Sequence, residues 1–222
     1  MELEQYFPFW NKLTHEQQQR LEASASQRQY PAGTIVHSGR HDCLGLLLIL
    51  SGQLRVYIIT EEGKELTLYR LFDRDICLFT ASCIMNSIQF DVTISADQDT
   101  TVLHIPPDVY KQCMQESAPA SNYINELMAS RFSDVMWILD QVLSKKLDTR
   151  LSAFLIEESE LSGKSKLVMT HEQIANHLGS AREVISRMLK YMQNEGLVKL
   201  GRGSITLTDT PGLTQLAQAS LR

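Results

Sequence analysis

Long apolar runs are missing from this sequence. The most apolar stretch, residues 44–50, is far shorter than the roughly 20 residues that cross a bilayer. The opening residues, MELEQYFPFWNK, are acidic and contain no apolar core of a signal peptide. We therefore expect a cytoplasmic protein with no membrane partner.

Cysteine is also scarce. The chain has four cysteines, at positions 43, 77, 83 and 113, and no two of them form a CxxC pair. We expect reduced thiols rather than a disulfide framework, because the chain is long and reads as cytoplasmic. The first 42 residues contain no cysteine, which disfavours an iron–sulfur cluster held by closely spaced N-terminal thiols. No histidine pairs with a carboxylate at metal-ligand spacing, so no metal site is expected.

Motifs of the common enzyme classes and an excess of positive charge are absent as well. There is no P-loop, GxSxG, HExxH or dinucleotide fingerprint, so we do not expect an enzyme. The net charge of −5 excludes binding of nucleic acid by bulk charge. Any nucleic-acid contact must therefore come from a local patch. Residues 1–146 carry a net charge of −6 and residues 147–222 a net charge of +1, which indicates different partners for the two parts.

Short β-rich runs, punctuated by glycine, fill residues 28–106. Short strands at this spacing predict a small antiparallel barrel or sandwich. Before these runs, Thr14 and Gln17 form a helix-start capping box, which predicts a helix over residues 14–26. The predicted strands are 34–36, 46–50, 54–59, 65–71, 90–96 and 101–105.

Helical periodicity follows Pro106, with a short helix over 108–116 and a long one over 121–144. The long helix carries apolar residues at alternating spacings of four and three, which is the pattern of a two-stranded coiled coil. The alternative is a single helix packed on its own core. The predicted dimer seam is Met128, Phe132, Val135, Leu139 and Val142. A further helix is predicted over 150–160.

The C-terminal part reads as two short helices and a hairpin. Capping boxes at Thr170–Gln173 and Ser180–Glu183 predict two helix starts, and Gly179 ends the first helix in a tight turn. This pattern is typical of a helix-turn-helix. Residues 197–200 and 204–207 predict a β-hairpin, which would make the unit a winged helix.

One face of the second helix has the chemistry of base recognition. Arg182 and Arg187 can each form two hydrogen bonds with guanine, and Glu183 can accept from cytosine. The alternative is a set of solvated surface charges. The predicted DNA-binding residues are Thr170, Ser180, Arg182, Glu183, Ser186, Arg187, Lys190, Lys199 and Arg202.

The segment MTHEQIANHLGSAREVISRMLKYMQNEGLVKLGRGSITLTD resembles the DNA-binding part of CRP/FNR-family bacterial transcription regulators. Its Arg-Glu-x-x-x-Arg pattern is that family's recognition helix, and Ser186 matches the FNR branch. Upstream, YPAGTIVHSG and LGLLLILSGQLRVY resemble the family's cyclic-nucleotide-binding β-roll.

The resemblance implies an α+β protein in three parts. Residues 1–120 would form a double-stranded, jelly-roll-like β-roll that acts as an effector domain. Residues 121–146 would form the dimerisation helix and a hinge, and residues 147–222 the winged helix-turn-helix. A homodimer on palindromic double-stranded DNA is implied, with half-sites of the TGTGA or TTGAT kind, and RNA polymerase is a further candidate partner.

The sequence departs from the family pattern in the segment that holds cyclic AMP. Leu78 and Phe79 stand where the family has Gly-Glu, and Phe90 and Asp91 where it has the phosphate-binding Arg-Ser. A phosphate needs donors or a cation, so cyclic AMP is disfavoured as the effector. The candidate effector pocket consists of Cys77, Leu78, Phe79, Cys83, Phe90 and Asp91.

Several effectors remain open for that pocket. Haem would need an axial ligand such as His104, Cys77 or Cys83, and is disfavoured. Redox sensing by the thiols of Cys77 and Cys83 is a second alternative, and binding of an apolar small molecule is a third. In a fourth, the protein has no effector and these residues are tightly packed core. The competing function is a ligand-binding or scaffold protein of the same fold that does not act through DNA.

Overall fold

The computed structural model describes residues 3–39, 44–78, 91–218 and 220. The chain divides into two compact units, one of Met1–Ile58 with Leu68–Val135 and one of Ile59–Thr67 with Met136–Arg222. Helices and strands occur in both, which confirms the predicted α+β class. None of the helices within the described ranges has the length and apolar character that spanning a membrane requires.

The first unit opens with two short 3₁₀ turns and a capped helix. The turns cover Leu3–Gln5 and Trp10–Lys12, and helix α1 covers His15–Ser24. Thr14 accepts from the Gln17 amide while the Gln17 side chain accepts from the Thr14 amide, which confirms the predicted capping box. Aromatic residues of the opening turns are buried against the rest of this unit.

Eight strands of the described residues form two four-stranded sheets. Their orders are β1-β8-β3-β6 and β2-β7-β4-β5, and the pairings resolved for β1, β2, β3, β4, β6, β7 and β8 are antiparallel. This arrangement confirms the predicted roll. The strands are β1 Ser26–Tyr30, β2 Ile35–Ser38, β3 Leu46–Ser51, β4 Leu54–Ile59, β5 Glu65–Leu71, β6 Ile76–Cys77, β7 Thr93–Ala96 and β8 Thr100–Ile105.

Two helices follow the roll. Helix α2 covers Pro107–Glu116 and helix α3 covers Ala118–Ser144, three residues longer at its start than predicted. Tyr110 on α2 and Ile124 on α3 are buried in the same apolar cluster as one face of the first sheet. These contacts hold the first part of α3 on the roll.

Over its described residues, the second unit contains the end of α3, four further helices and a three-stranded sheet of order β10-β11-β9. The elements are α4 Leu147–Ser162, β9 Lys166–Leu167, α5 His171–Leu178, α6 Arg182–Asn194, β10 Val198–Gly201, β11 Ser204–Leu207 and α7 Thr210–Ala217. The predicted hairpin is confirmed, and β9 adds a third strand by pairing with β11.

One apolar core holds the second unit together. The contributing side chains come from α4, α5, α6, α7 and the hairpin. Thr67, in the segment Ile59–Thr67 of the same unit, lies with its Oγ1 3.1 Å from Nδ1 of His177 on α5. The core includes Leu151, Leu155, Ile174, Ile185, Leu189, Met192, Ile205, Leu207 and Leu213.

Candidate nucleic-acid interface

Helix α5 is closed at both ends by the interactions its sequence predicts. Thr170 accepts from the Gln173 amide at 3.2 Å, and the Gln173 side chain accepts from the Thr170 amide at 2.8 Å. Gly179 ends the helix in the left-handed region, with φ of 64°, which a residue with a Cβ seldom adopts. Arg150 of α4 donates to the Leu178 carbonyl at 2.6 Å and so satisfies one of the last free carbonyls of the helix. Burial lowers the pKa of Arg150.

The start of α6 differs from the prediction. The helix begins at Arg182, its N-cap is Ala181, and no side chain caps it. The predicted Ser180–Glu183 box is therefore wrong. The Ser180 amide instead donates to the Ala175 carbonyl at 3.0 Å, so Ser180 belongs to the turn that closes α5.

Helix α6 is sharply two-faced. Ile185, Leu189 and Met192 are fully buried in the core of the second unit. Arg182, Glu183, Arg187 and Lys190 are exposed on the rest of the helix surface. Recognition helices have this arrangement, because one face packs on the protein while the other presents polar side chains to the major groove.

The hairpin adds further basic side chains. Lys199 on β10 and Arg202 at the hairpin turn are both exposed. Thr170 is also exposed, at the N-terminus of α5, although its hydroxyl is used by the capping box. Sequence reasoning did not single out Lys166, an exposed residue on β9 that the pairing with β11 places on this sheet.

Ser186 differs from its neighbours on α6 because its hydroxyl already has a partner. Its Oγ lies 2.8 Å from Nδ1 of His171, the first residue of α5. Both side chains are half-buried. Nothing in the sequence predicted this contact, since the two residues lie 15 positions apart and on different helices.

Helix α3 carries a long stripe of exposed apolar side chains. Of the predicted seam, Phe132, Leu139 and Val142 are exposed, while Met128 packs partly against the core of the first unit. Two residues outside the predicted seam are also bare. The exposed fractions are 67% for Phe132, 45% for Met136, 46% for Leu139, 40% for Val142 and 74% for Leu143.

Comparisons with known proteins agree on both halves of the chain. Residues 149–216 match the model of a Crp-like helix-turn-helix domain, and residues 27–117 match that of a cyclic nucleotide-binding domain. The anaerobic regulatory protein of Haemophilus influenzae is 30% identical over 86% of this chain and 73% of its own. The transcriptional regulator SdrP of Thermus thermophilus is 25% identical over 77% of this chain and 83% of its own.

A solved structure extends this similarity to the whole chain. It comes from Eubacterium rectale, is described as a transcriptional regulator of the CRP/FNR family, and is 55% identical. It covers 96% of this chain and 99% of its own, with a TM-score of 0.94. The chain belongs to the CRP/FNR family. It is a DNA-binding transcription regulator of the CRP/FNR type, and α5 and α6 are its helix-turn-helix.

Part of the candidate effector pocket of this CRP/FNR regulator can be placed. Cys77 and Leu78 are buried, and Asp91 is exposed. Phe79, Cys83 and Phe90 lie outside the described residues. Because Cys77 and Leu78 are buried, these two positions fit the alternative in which the segment is tightly packed core.

His104 is occupied by two contacts within the roll. Its Nε2 is hydrogen-bonded to the Leu44 carbonyl, and its Nδ1 lies 3.4 Å from Oγ of Ser26. Burial lowers the pKa of His104. The ring nitrogen that bound a haem iron would first have to leave its partner, although the other nitrogen could keep its own.

The structure also shows an ion-pair cluster that the sequence did not reveal. Arg131 on α3 lies 3.3 Å from Asp75 and 3.1 Å from Asp134, and its guanidinium stands 4.9 Å from the centre of the Tyr69 ring. The same Asp75 accepts from the Phe72 amide at 2.9 Å. The spacing of 56 residues between Arg131 and Asp75 left no local signal in the sequence.

Proposed function

We propose that this CRP/FNR regulator is a homodimer that reads a palindromic DNA site through α6. The bare charged face of α6, opposite a face on which Ile185, Leu189 and Met192 are buried, is the observation that carries the proposal. Arg182 and Arg187 would contact guanine, Glu183 would accept from cytosine, and Ser186 would contact a neighbouring base. Thr170, Ser180, Lys190, Lys199 and Arg202 would contact phosphates or flank the bases.

The exposed stripe on α3 supports the homodimer. Five large apolar side chains at positions 132–143 are bare along one helix, and burial of each would contribute about 1.5–3 kcal/mol. A parallel pair of such helices relates the two recognition helices by a two-fold axis. The DNA site would then be a palindrome with half-sites roughly 10 base pairs apart. In this scheme residues 1–120, 121–146 and 147–222 are the effector, dimerisation and DNA-binding parts.

The effector is proposed to be something other than cyclic AMP. Asp91, at one of the positions that would face the phosphate, is an exposed carboxylate and offers no donor. An apolar small molecule or a redox signal at the segment 77–91 remains the proposal. Titration calorimetry with cyclic AMP tests it, and micromolar binding would contradict it. RNA polymerase as a partner and a cytoplasmic location follow from the regulatory role.

The decisive test is a binding selection on randomised double-stranded DNA with the wild type and Arg187→Ala. We expect a palindromic motif from the wild type and relaxed preference at one base pair per half-site in the variant, with a loss of about 1–3 kcal/mol. A non-palindromic motif, or an unchanged motif in the variant, would contradict the assignment of α6.

A matched pair of variants separates base reading from phosphate binding. Lys199→Ala and Arg202→Ala remove charge from the hairpin and leave α6 intact. Binding should weaken for all sequences alike, and the dependence of affinity on salt should become shallower, because fewer counterions are released. A change in the selected motif would show that the hairpin reads bases.

A further inference from the structure

His171, the first residue of α5, contacts one residue of the recognition helix. The distance of 2.8 Å between its Nδ1 and Oγ of Ser186 is that of a good hydrogen bond. A serine hydroxyl on a recognition helix can serve either as donor or as acceptor toward a base. A protein group that is hydrogen-bonded to this hydroxyl therefore decides whether the hydroxyl acts as a donor or as an acceptor toward the base.

We propose that His171 sets the polarity of the Ser186 hydroxyl and is thereby a specificity-determining positioning residue. The proposal rests on the proposed reading of DNA by α6. His171 itself need not touch a base. It would act only by holding the single hydroxyl proton of Ser186 on the side away from the groove.

The proposed polarity requires one particular tautomer of His171, the one with its proton on Nε2. Neutral imidazole has one N–H and one bare nitrogen, and the form with the proton on Nε2 leaves Nδ1 as an acceptor. Ser186 then donates its proton to Nδ1 and presents only lone pairs to the DNA. In the major groove adenine and cytosine offer amino donors, whereas thymine and guanine offer oxygen acceptors. An acceptor-only hydroxyl therefore favours the amino bases at the position it faces.

A purely structural role does not account for this bond. The N-terminus of α5 is capped by Thr170 and Gln173 without the His171 side chain. Ile174 on α5 and Ile185 and Leu189 on α6 are fully buried in one core, which joins the two helices without His171. The bond to Ser186 is thus additional to the contacts that hold the helix-turn-helix together.

The test measures the preference for amino over keto bases at the position that Ser186 reads. That position is identified as the one whose preference changes in a binding selection with Ser186→Ala. His171→Ala should reduce the amino-over-keto preference there roughly three- to tenfold, the range of one neutral hydrogen bond. His171→Asn places an amide oxygen about where Nδ1 stood and should retain the preference.

A double variant and a neighbouring control sharpen the result. His171→Ala combined with Ser186→Ala should lose no more preference than Ser186→Ala alone, because both changes remove the same interaction. Glu172→Gln, on the same turn of α5, should shift affinity for all sequences alike and leave the preference unchanged. A ¹⁵N spectrum of the free protein should show the Nδ1 of His171 unprotonated, with a shift that moves in Ser186→Ala.

The outcomes separate this inference from the function on which it rests. If Arg187→Ala leaves the selected motif unchanged, base reading by α6 is wrong and the role of His171 falls with it. If Arg187→Ala alters the motif but His171→Ala keeps the amino preference, or adds its effect to that of Ser186→Ala, only the role of His171 is wrong.

Discussion

Helices α3 and α6 are both amphipathic, but the apolar face of α6 is buried and that of α3 is exposed to solvent. The apolar residues Ile185, Leu189 and Met192 of α6 are fully buried within the protomer. On α3 the apolar residues Phe132 and Leu143 are 67% and 74% exposed. An apolar face that is covered stabilises its own unit, whereas one that is bare is available to a partner. The periodicity of a helix alone does not distinguish the two cases.

The largest effect is expected from a charge on the bare face of α3. Leu139→Asp would place a carboxylate in the proposed dimer seam, where an unpaired buried charge is strongly unfavourable. We expect monomers in sedimentation and no detectable binding to a palindromic site. Ser130→Asp puts the same charge on an exposed position away from the stripe and should remain dimeric. A dimeric, DNA-binding Leu139→Asp protein would contradict the seam.

The covered face of α6 should respond in stability rather than in assembly. Leu189→Ala opens a cavity in a fully buried position and should lower the free energy of unfolding by about 2–5 kcal/mol. Urea denaturation measures this. Lys190→Ala, the exposed neighbour, should change stability by less than about 0.5 kcal/mol. Equal effects of the two variants would mean that α6 is not anchored as described.

Leu143 sharpens the comparison because the sequence pattern left it out of the seam. Leu143→Ser should weaken the dimer by about 1.5–3 kcal/mol if its exposed side chain is covered by a second copy. Sedimentation across a dilution series gives the dissociation constant. Asp140→Ser, also on α3 and exposed, is the control. An unchanged dissociation constant for Leu143→Ser would restrict the seam to the predicted positions.

The smallest effects are expected at the helix starts. Thr170→Ala removes the cap of α5 and should cost about 1 kcal/mol of stability. Ala181→Ser supplies a side-chain cap that α6 lacks, at a backbone conformation suited to it, and should stabilise by about 0.5–1 kcal/mol. Thermal unfolding of the two variants measures the change in stability that each substitution causes. Opposite signs are expected, and a stabilising Thr170→Ala would contradict the capping box.

Much of the fold could be predicted from local patterns. The bounds of β4 and β5 match the predicted runs, and the capping boxes locate the starts of α1 and α5. Strand β1 was missed because SQRQY is polar throughout and has no alternation of apolar residues. Helix α7 was missed because it opens with Thr-Pro-Gly, which predicts a turn.

The candidate site was predicted in its residue types and not in its contacts. The charged residues of α6 follow from helical periodicity, and the helix starts one residue later than predicted because its N-cap position is Ala181 and not Ser180. The contact between His171 and Ser186 and the ion pair between Arg131 and Asp75 join residues that are distant in the chain. No periodicity or spacing rule connects such pairs.

The sequence by itself determined that α3 and α6 each have an apolar side, where α1 and α5 begin, and which charged residues of α6 face away from the core of the helix-turn-helix. Only the tertiary structure decided which apolar faces are covered and which polar groups are paired. The physical reason is that periodicity is a property of a single segment, whereas burial and hydrogen bonding depend on the neighbours that folding brings from elsewhere in the chain. For that reason Leu189 is core, Leu143 is bare and Ser186 already has a partner.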